Sequence, residues 1–288
     1  MVRSTSSSSR MPMRRRYRSA ANSKRSTDRR GFRRSSAETL PDLLTTDQIM
    51  PILSLNAVSK SFGALKATDD VSFDLTRGEA LGIIGPNGAG KSTLFNLITG
   101  TVSADQGEIT LKGRAITRMS AMERCKAGIG RSFQIPQPFG HLSVYENLLV
   151  AARFGGNESA ADAPDFCMQI LERTRLGTQA DTPAGGLPLL SRKRLELARA
   201  MATRPKLILL DEIAGGLTEG ECGELVETIR QIHAEGASII WIEHVLHALT
   251  NVVSRLLVLN FGKMLMVGEP DVVMASPEVK EIYLGIDA

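Results

Sequence analysis

The chain has 288 residues, 42% of them apolar and 23% charged, enough to bury one large α/β core or two smaller ones. Aromatic residues make up only 5%, which argues against a base-stacking nucleic-acid surface, and Cys125, Cys167 and Cys222 lie far apart with no CxxC spacing, which argues against a disulfide framework or zinc site and fits a reducing cytosol. The net charge of +4 misleads: residues 1–49 carry 12 Lys/Arg and 4 Asp/Glu, whereas residues 50–288 carry 23 and 27.

Residues 1–49 are rich in Ser and Arg with little periodic hydrophobicity, so they are expected to be a disordered tail that cannot offset its ordering entropy. The tail lacks the apolar core of a secretory signal; it fits a solvated segment, an acidic-lipid, nucleic-acid or targeting tail, or a mis-assigned start with Met50 as the true first residue. From there the pattern is orderly. Ile52–Val58 alternates like a strand, Val71–Leu75 reads as another, and Ala80–Ile84 is a short apolar run ending in a glycine-rich turn. Lys91–Thr99 has helical spacing through Leu94, Phe95, Leu97 and Ile98. Residues of about 140–185 show no clear strand and are read as a helical insertion. Beyond them come a predicted helix at Arg192–Thr203, a buried strand at Leu207–Leu210, a helix at Glu219–Glu235 closed by Gly236, and a strand at Ser238–Ile242. The alternation predicts an α/β core with a mostly parallel sheet. No apolar run approaches the ~18–20 residues needed to span a bilayer; the stretch around Ser238–Leu259 is broken by Glu243, His244, His247, Asn251 and Arg255. Any membrane role is therefore expected to be peripheral.

The strongest local signal is Gly85-Pro86-Asn87-Gly88-Ala89-Gly90-Lys91-Ser92-Thr93, which fits GxxxxGK[ST] between a predicted strand and a predicted helix. Glycines let backbone N–H groups converge on phosphate oxygens, and the helix N-terminus adds positive potential. Lys91 is placed to reach the β- and γ-phosphates and the Ser92 hydroxyl to ligate Mg²⁺. Phosphoryl transfer also needs a carboxylate to orient the metal and a group to position water. Leu207-Ile208-Leu209-Leu210-Asp211-Glu212 supplies both at a strand end: Asp211 toward the metal, and Glu212 as general base. A solvated turn is the plainer alternative for two acids after a strand.

These residues resemble the ATPase subunits of ABC transporters, over about residues 52–285. The resemblance implies a P-loop NTPase fold of the ABC type, with a mostly parallel sheet core, an antiparallel β subdomain and a helical subdomain, filling residues 50–288. Within Arg131-Ser132-Phe133-Gln134, Gln134 would contact Mg²⁺ and the attacking water; in Ile242-Glu243-His244, His244 would contact the γ-phosphate. Phe62 is placed like the aromatic that stacks on adenine, with a core or strand-edge role as its alternative. Three stretches are similar to the ATPases of branched-chain amino acid importers: Gly85–Gly100, Phe133–Ala151, and Pro277–Gly285, which ends in Ile282-Tyr283-Leu284-Gly285. Urea or short-chain amide importers look similar. The implied ligands are ATP and Mg²⁺. The implied partners are permease subunits, a second ATPase and, indirectly, a solute-binding protein, at the cytoplasmic face of the inner membrane; no nucleic acid is expected.

Two places depart from the family. Its signature, LSGGQ or a variant, aligns with Leu187-Pro188-Leu189-Leu190-Ser191, where Pro188 offers neither hydroxyl nor N–H. Ser191 is expected to cap the following helix, and Arg192, Lys193 and Arg194 either keep the region positive or form a solvated face. Thr218 stands where the family has Asp or Asn. Both departures suggest an asymmetric ATPase heterodimer whose second subunit carries an intact signature. A non-transport ABC-type clamp and a low-turnover nucleotide sensor are the alternatives from other classes; no sustained heptads or second phosphate loop favour the clamp.

Overall fold

The computed structural model describes residues 50–156 and 158–284. Segment 1–49, Gly285 and the side chains of Tyr283 and Leu284 lie outside the described residues.

The chain opens with strands β1 (Leu53–Phe62), β2 (Leu65–Leu75) and β3 (Ala80–Ile84), then helix α1 (Lys91–Thr99). Strands β4 (Gln106–Leu111) and β5 (Arg114–Ala115), helix α2 (Ala121–Ala127) and strand β6 (Ile129–Arg131) follow. Helices α3 (Val144–Phe154), α4 (Ala163–Arg173) and α5 (Leu189–Ala202) come next, with two short 3₁₀ turns between α4 and α5. The remainder is β7 (Leu207–Asp211), α6 (Glu219–Ala234), β8 (Ser238–Ile242), α7 (Leu246–Thr250), β9 (Arg255–Asn260), β10 (Lys263–Gly268), α8 (Pro270–Ala275) and α9 (Pro277–Leu284). None of the described helices is long and apolar enough to cross a membrane.

Two sheets organise these elements. A four-stranded antiparallel sheet has the order β2-β1-β4-β5, and a six-stranded sheet the order β10-β9-β3-β8-β7-β6. In the larger sheet β6, β7, β8, β3 and β9 run parallel, and only the edge strand β10 is antiparallel. Its central strands are buried on both faces, which is why they read as continuous apolar runs. Ala80 and Ile84 of β3, Ile208 and Leu210 of β7, and Ile239 and Trp241 of β8 join one core with α3 to α6. Leu81 and Ile83, Leu207 and Leu209, and Ile240 and Ile242 join the other, with α1 and the small sheet. Each Leu or Ile among them taken fully from water contributes about 1.5–3 kcal/mol.

Strand order positions the site. Neighbouring β3, β8, β7 and β6 all end at the same sheet edge, where open α/β folds place their ligands. The segments that leave them carry Gly85–Gly90, Glu243–His244, Asp211–Glu212 and Gln134 respectively. Helix α1 is held from behind by the buried Arg124. Its guanidinium donates to the carbonyls of Leu97 (2.5 Å) and Ile98 (3.0 Å), answering the negative helix end.

Some expectations are corrected. Helix α5 begins at Leu189, three residues before the apolar spacing indicates, and its N-cap is Pro188. Ser191 is therefore a buried residue of the first turn and caps nothing. Alternation in β1 stops at Val58 because its pairing with β2 shifts register there, although the strand continues to Phe62.

Candidate nucleotide-binding and hydrolytic site

The loop after β3 wraps tightly because two of its glycines meet backbone. A Cβ on Gly85 would lie 2.2 Å from the Leu259 carbonyl oxygen, and one on Gly90, whose φ is 101°, 2.3 Å from that of Ala67. Gly90 is the N-cap of α1 without a side-chain cap, and no acidic residue occupies the first turn. The N–H groups and positive end of α1 thus stay available to an anion. Lys91, only 6% exposed, folds back so that Nζ donates to the carbonyls of Gly85 (2.6 Å) and Pro86 (3.0 Å). Burial pulls its pKa below the ordinary lysine value, while the charges of Glu212 and Asp211 oppose that shift.

Glu212 sits opposite. Its backbone has φ 43°, an uncommon left-handed conformation for a non-glycine residue, and its N–H donates to the Ile242 carbonyl (2.9 Å). The carboxylate is gripped at both oxygens: Gln134 Nε2 donates to Oε2 at 2.5 Å, and His244 Nε2 lies 2.8 Å from Oε1. An ionised carboxylate only accepts, so in that state of Glu212 the His244 nitrogen carries the hydrogen. Gln134, Glu212 and His244 form one connected trio, and Glu212 lines an open cleft of about 340 Å³ with Asn87–Thr93, Phe62 and Phe261. Phe62 is half-exposed at 49%, so it is not a core aromatic.

Asp211, 6% exposed, meets the guanidinium of Arg131, whose second nitrogen holds Asn96 of α1: 2.6 Å to Asp211 Oδ2 and 2.7 Å to Asn96 Oδ1. The oxygens of Ser92, Asp211 and Gln134 are hard donors suited to magnesium, which keeps several waters and substrate phosphates and needs few protein ligands. The described residues contain no cluster of three or more His, Cys, Asp or Glu that would cage a metal by themselves.

Charged residues that the sequence does not mark as part of the site brace it. Glu243 is 1% exposed and accepts the backbone N–H of Ala214 (2.6 Å) and of His244 (3.1 Å), joining the loop after Glu212 to the histidine segment. Burial pushes its carboxyl pKa up, against those hydrogen bonds. Lys193 is 3% exposed, and its ammonium donates to the Gln134 carbonyl at 2.6 Å. Burial lowers its pKa, with Glu243, Glu212 and Glu196 opposing. Arg194, also buried, pairs with Glu224 of α6 at 2.7 Å. Two of the three basic residues thus turn inward, and the trio is not a solvated face. The signal available in sequence was their place among the apolar positions of α5.

At the start of α5 the N–H groups of Leu189, Leu190 and Ser191 have no acceptor within the helix and no side-chain cap. Arg192 reaches back to the carbonyls of Leu187 (2.8 Å) and Gly185 (3.1 Å). Thr218 caps α6 in a reciprocal box with Glu221, the task Asp or Asn performs at such a position.

The family model described as ABC transporter matches residues 68–215. LivG of Salmonella typhimurium, a high-affinity branched-chain amino acid transport ATP-binding protein, is 35% identical, with 82% of this chain and 98% of that protein covered. The lipopolysaccharide export ATP-binding protein LptB of Haemophilus influenzae is 31% identical over 82% and 98%. Among solved structures, the ADP conformation of MJ1267, an ATP-binding cassette of an ABC transporter, superposes with a TM-score of 0.74 at 34% identity, covering 82% of this chain and all of that one. On the family match and these similarities, the chain belongs to the ABC transporter family as one of its ATP-binding, ATP-hydrolysing subunits.

Proposed function

We propose that this chain energises an importer of branched-chain amino acids or similarly small solutes, with Glu212 as the general base of ATP hydrolysis. The observation that carries the mechanism is the Gln134–Glu212–His244 trio set against the phosphate loop; the similarity to LivG carries the substrate class.

In the structure Lys91 is satisfied by loop carbonyls, and Glu212 by Gln134 and His244. A triphosphate offers Lys91 and His244 a more highly charged acceptor. Lys91 then moves from Gly85 and Pro86 to phosphate oxygens, and His244 from Glu212 to the γ-phosphate. A released Glu212 oxygen can accept a hydrogen from water and aim it in line with the γ-phosphorus. Ser92, Asp211 and Gln134 are the residues that would hold Mg²⁺, whose charge offsets that developing on the phosphates. Phe62 would stack on the base. Residues 1–49 and 50–288 are proposed as a tail and the ATPase domain, with the helical part near 140–185 presenting the permease-docking surface at the cytoplasmic face of the membrane.

The proposal extends to an asymmetric heterodimer. Pro188 removes the hydroxyl and N–H that the family's signature serine brings to the opposite nucleotide, so the site completed by Leu187–Ser191 would turn over slowly. The test replaces Glu212 by Gln here and, separately, the corresponding base in the second ATPase of the assembled transporter. Unequal losses of hydrolysis support asymmetry; equal losses reject it. Uptake assays with leucine, urea and acetamide in a strain carrying Glu212→Gln test the solute, and unimpaired leucine uptake would remove that assignment.

A further inference from the structure

The hairpin between β9 and β10 turns through Phe261 and Gly262, with Asn260 paired to Lys263. Both central residues have positive φ, 46° at Phe261 and 76° at Gly262. Two-residue hairpin turns of this kind favour Asn, Asp or Gly at the first central position, because a β-carbon crowds the backbone there. Phe is therefore a poor choice for the turn itself. Nor does the ring recover the cost by burial within the chain, since Phe261 is 83% exposed.

Its location offers a reason. Phe261 lines the same cleft as Phe62 and the phosphate loop. The turn is also fastened to that loop: Gly262 N–H donates to the Ala89 carbonyl (2.9 Å), and its own carbonyl accepts from Asp69 N–H (2.8 Å) in β2. A Cβ on Gly90 would stand only 3.4 Å from Gly262 Cα. Phe62 closes β1 at the neighbouring hairpin and is itself half-exposed. Two unburied aromatic rings, carried by two hairpins, thus border one phosphate-binding loop.

We propose that Phe261 is a second base-contacting side chain, which holds the base of the bound nucleotide together with Phe62. A flat ring with an exposed π-face binds any base by stacking, and a purine, with the larger face, more strongly than a pyrimidine. The inference rests on the nucleotide-binding assignment of the phosphate loop and adds a contact that acts on the base and not on the phosphates.

Equilibrium binding of MgATP, MgCTP and magnesium tripolyphosphate to the full chain, Phe261→Asn and Phe261→Tyr tests it. Asn suits a left-handed turn position, so Phe261→Asn should melt no lower than the unaltered chain. It is expected to bind MgATP about tenfold more weakly, within the range for losing one base–aromatic stack, with tripolyphosphate affinity unchanged and the ATP preference over CTP reduced. Phe261→Tyr should keep the affinity. Unchanged MgATP affinity in Phe261→Asn, or equal weakening of MgATP and tripolyphosphate, would overturn the inference while leaving the phosphate loop intact. Failure of the unaltered chain to bind MgATP would remove the nucleotide assignment as well.

Discussion

The phosphate-loop side of the molecule and the Leu187–Ser191 loop each open on an uncapped helix N-terminus, and they differ in the side chains gathered around it. Around the phosphate loop the uncapped N–H groups that open α1 are accompanied by ionisable side chains: the ammonium of Lys91, the carboxylate of Glu212 and the imidazole of His244, each with a partner in the structure. At Leu187–Ser191 the available groups are the uncapped N–H donors that open α5. The phosphate-loop motif stands whole in the sequence. A helix N-terminus survives almost any residue, so a degenerate motif there still leaves a positive helix end. What Pro188 removes is narrower: one hydroxyl and one N–H.

Four experiments bear on that contrast. The largest effect belongs to Glu212→Gln, which keeps the shape and a carbonyl oxygen but removes the base. Turnover in the assembled transporter should fall about 10²–10⁴-fold with MgATP binding retained; turnover within twofold of normal would move the base elsewhere. Glu243→Ala comes next. It leaves the buried N–H of Ala214 and the partly buried N–H of His244 without an acceptor, at about 1–3 kcal/mol for the first and less for the second. Denaturant unfolding should register a loss of about 3 kcal/mol, with slowed hydrolysis; a loss under about 0.5 kcal/mol would show that Glu243 does not brace the site.

A pH titration gives a smaller effect. The pKa of Lys91 is lowered in the free protein, and phosphate favours its charged form. MgATP affinity should therefore be flat well below that pKa and fall as pH rises through it, below 10.5, by at most about tenfold per unit. Lys91→Arg, which keeps its charge there, should remain flat; parallel curves would assign the pH dependence to another group. The smallest change is expected from Pro188→Ser combined with Leu190→Gly. If one of two sites already turns over fast, repairing the other raises total hydrolysis at most about twofold. No gain with normal assembly would show that Leu187–Ser191 does not limit that site.

Strands β3, β7 and β8 and helix α1 were legible because runs buried on both faces and a 3.6-residue period need no tertiary information. The start of α5 was not, because the extended Pro188 sets it while the apolar stripe begins later. Strand β6, three residues long, is too short to show a period, whereas the apolar run Leu256–Leu259 of β9 is hidden within the broken stretch around Ser238–Leu259. Gln134, Glu212 and His244 were each visible from motif and resemblance. Their meeting depends on the strand order β3-β8-β7-β6, which no local pattern contains. Lys193, Arg194 and Glu243 illustrate the same gap: a charge in sequence reads as solvated until the fold encloses it and gives it a partner.

Everything turns on whether the loop at 85–92 grips a triphosphate through the ammonium that now rests on its own carbonyls. Isothermal titration of MgATP into the purified chain and into Lys91→Ala measures this directly. The unaltered chain should bind, and the variant should lose at least about a hundredfold in affinity while keeping its fold, a loss in the range for removing a buried charged partner of an anion. Equal affinity in the two proteins would contradict the account.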